Sequence, residues 1–128
     1  MNLTLKILED FYAICKLPAG SGIPDWIKDS DFLSITRTKD ELSFVCQQSL
    51  LPPDIKDSNK DWRIFEISSP LDFSLVGIIA QISNILKNEA VPIFVISTYL
   101  TDFILVKDNY LVKAAQALKS YGYEVTNR

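Results

Sequence analysis

The segment from Leu71 to Asn88 constrains the fold of this chain more than any other part of its sequence. Its large aliphatic residues recur at steps of three and four, which places them on one stripe of a helix. Pro70 precedes the segment, and Asp72 or Ser74 can cap the free amides of its first turn. A helix with one apolar stripe buries it against another layer, so the sequence predicts a helix packed on a sheet. The stripe consists of Leu75, Ile78, Ile79, Ile82, Ile85 and Leu86.

A second helix is predicted from about Asn109 to Tyr121, where Gly122 ends it. Strand-like runs surround the two helices at residues 62–67, 91–97, 103–106 and 123–125. The resulting order, β-α-β-β-α-β, is that of the ferredoxin-like split βαβ unit. We therefore predict an α+β fold in which an antiparallel sheet carries both helices on one face.

The first half of the chain is expected to be an abbreviated unit of the same kind. Its expected strands are residues 3–8 and 11–17, followed by a hairpin of residues 32–36 and 42–46. Residues 25–29 form at most a short helix, and the polar, proline-led residues 52–61 are interpreted as a connector. The prediction is thus two tandem ferredoxin-like halves, residues 1–60 and 61–128, of which the first lacks a long helix.

A weak internal repeat supports two related halves. Sliding the sequence by 61 residues sets Ile35–Val45 against Ile96–Val106. Five aligned pairs keep their chemical character: Ile35 with Ile96, Thr36 with Ser97, Glu41 with Asp102, Leu42 with Phe103, and Val45 with Val106. Both windows are predicted to be strand–turn–strand. Two unrelated amphipathic hairpins also share part of such a pattern, so chance similarity stays open as the alternative.

The charge balance excludes some classes of partner. The net charge is −3, the isoelectric point is about 4.8, and the basic residues are scattered along the chain. Nucleic acids and anionic membrane surfaces both require clustered basic residues, so neither is expected as a partner. The apolar run from Leu75 to Ala80 is too short to span a bilayer, and charges interrupt any signal-peptide core, so we expect a cytoplasmic protein. Cys15 and Cys46 are then expected as buried thiols, with a redox pair as the alternative.

Catalysis is not predicted, and neither a cofactor nor a metal is expected. The chain has no histidine, the commonest general base and a frequent metal ligand. It also has no glycine-rich phosphate loop and no serine in a nucleophile elbow. A carboxylate pair brought together only in space is the enzyme alternative that the sequence leaves open.

Two stretches of the second half resemble the ACT domain family: Asp72-Phe73-Ser74-Leu75-Val76-Gly77-Ile78-Ile79-Ala80 at the helix start, and Ile96-Ser97-Thr98-Tyr99-Leu100-Thr101-Asp102-Phe103-Ile104-Leu105-Val106 at the hairpin. Within that family the chain resembles small bacterial proteins with two ACT domains, related to the regulatory tails of aspartate kinases and to cytosolic arginine sensors. Residues 13–18, Pro24, Trp26 and residues 34–46 resemble the first half of those proteins. The resemblance implies a non-catalytic protein, often a homodimer, that senses an amino acid or another small ligand at ACT–ACT interfaces.

A free amino acid requires donors for its carboxylate and an acceptor for its ammonium. The start of the first helix offers unpaired amides and a dipole that favours an anion, and Gly77 permits close approach. Asp102 is the expected acceptor. The predicted ligand-binding residues are Asp72, Phe73, Ser74, Gly77, Ile78, Ser97, Thr98, Tyr99 and Asp102.

Each of these residues also has a structural interpretation. Gly77 can serve close helix–sheet packing, Asp72 can be an N-cap, and Asp102 can belong to a solvated turn. The sequence departs from the family pattern at Leu100, where a polar residue is expected in the turn and where an apolar side chain favours an apolar ligand. An ACT-like module that only dimerises is therefore the alternative to a ligand sensor.

Overall fold

The computed structural model describes residues 3–68 and 77–127. The chain divides into two compact units, one of residues 10–62 and the other of residues 1–9 together with 63–128. The predicted boundary near residue 60 lies close to the observed one. The first strand, however, belongs to the unit of residues 63–128, whereas the prediction assigned it to residues 1–60. The description of residues 1–60 as a single ACT-like half therefore stays a prediction.

The C-terminal unit contains an open sheet of five strands. One of them, β5, contributes its last residues to this unit and its first residues to the other. Its strands are β1 (Thr4–Ile7), β5 (Ser58–Ile67), β6 (Phe94–Ser97), β7 (Asp102–Lys107) and β8 (Glu124–Asn127). They lie in the order β8-β1-β5-β7-β6. Strand β1 is antiparallel to β5 and parallel to β8, so it lies between them.

Two helices cover one face of this sheet: α1 (Ile78–Asn88) and α2 (Leu111–Ser120). Both pack against the same set of strand residues, which alternate along their strands and so share a face. The common core contains Leu5, Phe65, Ile67, Ile82, Leu86, Ile104, Val106, Ala114 and Leu118. The predicted α+β class, with a ferredoxin-like arrangement and helices on one face, is confirmed. The sheet is not wholly antiparallel as expected, because β1 and β8 pair in parallel.

The ends of α2 follow from local sequence. A 3-10 turn at Asp108–Tyr110 leads into the helix, and no side chain caps it. Gly122 takes a φ of 108° just after the helix, where the amide of Tyr123 donates to the carbonyl of Leu118 over 3.1 Å. Such a left-handed residue closes a helix because glycine adopts it without steric cost.

The N-terminal unit contains β2 (Tyr12–Pro18), β3 (Ser34–Arg37), β4 (Glu41–Gln47) and the start of β5. These strands pair in the order β3-β4-β2-β5. Residues 10–62, all of which the structure describes, contain two 3-10 helices, Asp25–Ile27 and Gln48–Leu50, and no α-helix. The expected absence of a long helix from the first half is thus seen in this unit.

The cysteines are free thiols buried on one face of the β2–β4 pair. They join a core cluster with Ala13, Ile27 and Phe44. A hydrogen bond with Cys46, together with burial, raises the pKa of the Cys15 thiol. This agrees with the expectation that both side chains serve as small core residues.

The predicted connector is wrong at its end. Residues 58–61 begin β5, because Ser58 and Asn59 pair with Cys15 and Ile14. Val95 is 36% exposed, because it lies on β6, which among the described residues pairs only with β7.

The two hairpins match each other at an offset of 60 residues, not the expected 61. Arg37 lies opposite Leu42 in one hairpin, and Ser97 lies opposite Asp102 in the other. Each four-residue turn begins with a threonine, Thr38 or Thr98, whose hydroxyl accepts the amide of the turn's fourth residue. The sequence alignment preferred residue character, whereas strand pairing fixes which residues are equivalent.

Candidate functional site

The β6–β7 turn holds four of the predicted ligand residues. Ser97 ends β6 directly opposite Asp102, which begins β7. Ser97 and Thr98 are exposed, whereas Asp102 is half-buried. The turn therefore presents a hydroxyl and a carboxylate from adjacent strand ends, a pair that can accept hydrogen bonds from an ammonium group.

Thr98 is engaged within the turn itself. Its hydroxyl donates to the carbonyl of Thr101 over 3.1 Å and accepts the Thr101 amide over 3.3 Å. Its backbone amide also donates to the Thr101 carbonyl over 2.8 Å. The side chain of Thr98 thus shapes the turn, and what it offers outward is limited to a remaining lone pair.

Thr101 ties this turn to the end of β5. Its hydroxyl donates to the carbonyl of Ile67 over 2.7 Å. Ser68, which follows Ile67, donates both its amide and its hydroxyl to the carbonyl of Thr4, over 2.9 and 3.0 Å. The turn, the end of β5 and the start of β1 consequently lie at the same end of the strands of this sheet.

The start of α1 differs from the prediction. The helix begins at Ile78, and Gly77 is its N-cap with φ 85° and ψ 8°. The expected caps, Asp72 and Ser74, lie outside the described residues. The first helical bond runs from the Gln81 amide to the Gly77 carbonyl over 2.9 Å. The unpaired amides of α1 therefore begin at Ile78.

Gly77 does not serve close packing. A Cβ atom placed on it would have no described heavy atom within 4 Å, and the residue is exposed. Its positive φ supplies the reason for glycine at this position. Ile78, by contrast, packs partly buried against the core of the unit.

The remaining predicted residues fall into two groups. Tyr99 is 86% exposed and Leu100 is 75% exposed at the tip of the turn, where neither is packed into a pocket within the described part of the chain. Asp72, Phe73 and Ser74 lie outside the described residues. No hydrogen bond between described residues joins Gly77 or Ile78 to the turn, so the structure assembles only the turn side of the predicted site.

Sequence reasoning missed two features with functional potential. Thr101, which is not among the predicted ligand residues, is the side chain that anchors the turn to β5. A groove of 380 Å³ in residues 10–62, lined in part by Trp26 and three prolines, was not predicted. Pro24 lies two residues from Trp26, but Pro18 and Pro52 are distant in the sequence, so no local pattern marks the groove.

Neither a metal site nor a membrane-spanning helix is found among the described residues. Residues 3–68 and 77–127 hold no group of three or more Cys, Asp or Glu side chains arranged for a metal ion. Within the same ranges, the helices are too short and too polar to cross a bilayer.

Several solved structures are similar to this chain. A crystal structure of a protein from Agrobacterium tumefaciens is 36% identical, covers 100% of this chain and 95% of its own, and superposes with a TM-score of 0.93. A Vibrio cholerae protein of unknown function, described as a possible transport protein, is 18% identical over 94% of this chain and 91% of its own, with a TM-score of 0.78. The regulatory subunit of aspartate kinase from Thermus thermophilus shares the fold, at 11% identity over 94% of each chain and a TM-score of 0.60.

Family models cover most of the sequence. The model of the ACT domain matches residues 57–120, half of the chain, and a model of an N-terminal domain matches residues 10–54. A comparison with curated proteins found no match. The chain therefore belongs to the ACT domain family.

Proposed function

We propose that this protein is a non-catalytic sensor that binds a free amino acid between the β6–β7 turn and the start of α1. The observation that carries the proposal is the pairing of Ser97 with half-buried Asp102. Thr101 anchors this pair to the end of β5, and so holds the turn in place.

The chemical groups of the proposed site suit a zwitterion. Asp102 and the Ser97 hydroxyl accept hydrogen bonds, as an ammonium group requires. The unpaired amides that begin at Ile78 donate them, as a carboxylate requires, and the helix dipole adds to the attraction. Asp72, Phe73 and Ser74 belong to the proposed site by the family resemblance, and exposed Leu100 and Tyr99 are available to cover an apolar side chain of the ligand.

A thermal-shift screen of the twenty amino acids, followed by calorimetric titration of the best one, tests this proposal. Asp102→Asn keeps the size of the side chain and removes its charge, so affinity should fall about five- to a hundred-fold. The matched control is Asp40→Asn, an exposed aspartate in the turn of the other hairpin, which should bind as the wild type does. Absence of binding by any amino acid at millimolar concentration would overturn the sensor proposal.

Exposed apolar residues favour assembly as a second candidate function. Val95, Tyr99 and Leu100 are all exposed along β6 and its turn, and sheet edges are commonly paired or covered. A homodimer through this edge would cover them, with or without a ligand. Light scattering at micromolar concentration separates the two: a monomer mass with bound amino acid supports the sensor alone, and a dimer without amino-acid binding supports the assembly module.

A further inference from the structure

We propose a second binding site, within residues 10–62, for the zwitterion of an aromatic amino acid. The site is the groove of 380 Å³ noted above, here called the proline groove. Its walls include Pro18 at the end of β2, Pro24 and Trp26 at the first 3-10 helix, and Pro52 and Ile55 in the loop before β5. The volume lies within the range of small-molecule sites.

The apolar walls are ordered before any ligand arrives. Trp26 meets Phe44 edge to face, with ring centroids 5.8 Å apart and planes at 69°. Trp26 and Ile55 also pack against the core cluster that contains Cys15, Cys46 and Phe44. Proline rings have a fixed φ and no side-chain rotamers to lose on binding. A preformed wall of this kind binds without the entropic cost of ordering it.

The composition of the walls favours an aromatic ligand. Tryptophan and proline side chains pack against an aromatic ring, and aromatic pairs gain free energy beyond the area that they bury. A branched aliphatic side chain buries similar area without that gain. The preference expected for this groove is therefore phenylalanine-like rather than leucine-like.

The rim of the proline groove carries charges of both signs. Lys16 and Lys56 supply two cations, and Asp54 and Asp57 supply two anions. None of the four side chains forms an ion pair or a side-chain hydrogen bond with another described residue. Two free cations beside two free anions complement a carboxylate and an ammonium together, whereas a ligand with only one charge leaves half of the rim unused.

The two tryptophans make the test direct. Trp62 is 8% exposed, so the Trp62→Phe variant leaves Trp26 as the sole tryptophan and as a reporter in the groove. L-phenylalanine should change its fluorescence saturably, and calorimetry on the wild-type chain should return the same affinity. L-leucine, phenylethylamine and 3-phenylpropionate, which lack the ring, the carboxylate and the ammonium in turn, should each bind about tenfold more weakly or worse.

Variants on the exposed rim keep the fold and remove the charges. Lys16→Gln with Lys56→Gln should weaken phenylalanine binding about tenfold, and so should Asp54→Asn with Asp57→Asn. Asp40→Asn, at an exposed aspartate that does not line the groove, should leave it unchanged. Trp26 lines this groove, so its fluorescence titration separates this site from the one at the β6–β7 turn. Equal binding of L-leucine, insensitivity to both rim variants, or saturation only by a proline-rich peptide would each overturn the proposal.

Discussion

Thr101 and Ile67 are joined by a hydrogen bond of 2.7 Å from the threonine hydroxyl to the backbone carbonyl. This bond connects the residue directly before β7 with the last residue of β5, so it fixes the β6–β7 turn to the neighbouring strand. The proposed amino-acid site depends on this connection, because Ser97 and Asp102 are held by the same turn.

Thr101→Val should therefore lower the free energy of unfolding by about 1 kcal/mol, since the carbonyl of buried Ile67 loses its side-chain donor. The isosteric change keeps the volume of the residue and removes only the hydroxyl. Thr101→Ser retains the donor and should stay closer to the wild type. Urea denaturation of the three proteins measures the difference; equal midpoints for Val and Ser would show that the bond contributes nothing to stability.

Gly77→Ala should destabilise the chain by about 1 kcal/mol, because a residue with a Cβ atom pays a steric cost at a φ of 85°. Open space around the position means that no clash adds to this cost. Gly22→Ala is the control, since Gly22 is exposed, equally open and has no positive φ. Thermal unfolding should separate the two variants, and an unchanged melting temperature for Gly77→Ala would contradict the left-handed conformation.

The helices were predictable because their signal is local. The apolar period around Ile82 and Leu86, and the glycine after Tyr121, lie within a few residues of the structure that they specify. The position of β1 was not predictable in the same way. Thr4–Ile7 pairs with Glu124–Asn127 at the other end of the chain, and local periodicity carries no record of so distant a partner.

The candidate site was predictable only in part. The strand-end pair of Ser97 and Asp102 follows from a hairpin whose two apolar strands are visible in the sequence. The left-handed conformation of Gly77 was not visible, because a glycine within an apolar period is also compatible with a helix. The proline groove was not predicted, because its walls come from residues between 16 and 57 that only the fold brings together.

Asp108→Asn tests the partly exposed ion pair with Arg63, whose Nη1 lies 3.0 Å from Oδ1 of Asp108. The aspartate side chain is 44% exposed, so solvent screens the pair and its loss should cost less than about 1 kcal/mol. The cost should shrink further in high salt. Asp29→Asn, at an exposed aspartate outside any described ion pair, is the control. A cost that is independent of salt in denaturant titrations would show that the pair acts through packing rather than charge.

Tyr123 links the stability of the C-terminal unit to alkaline pH. Its hydroxyl donates to Oε1 of Gln81 on α1, and its ring stacks on Tyr121 with centroids 6.3 Å apart. Burial, and to a smaller extent the nearby charge of Tyr121, raise the pKa of Tyr123 above its usual range. The folded chain therefore holds this proton at a pH where the unfolded chain has already released it.

The sign of the effect follows from this difference in bound protons. The stabilisation is complete below the pKa of an unfolded tyrosine and is lost as pH rises toward the folded pKa, because unfolding then releases a proton. Tyr123→Phe should cost about 1 kcal/mol at neutral pH through the lost hydrogen bond. The difference between variant and wild type should narrow above pH of about 10, because the phenylalanine has no proton to lose. Urea unfolding from neutral to alkaline pH measures this, with Tyr99→Phe, at a tyrosine that is 86% exposed, as control. A difference that stays constant across the range would contradict the raised pKa.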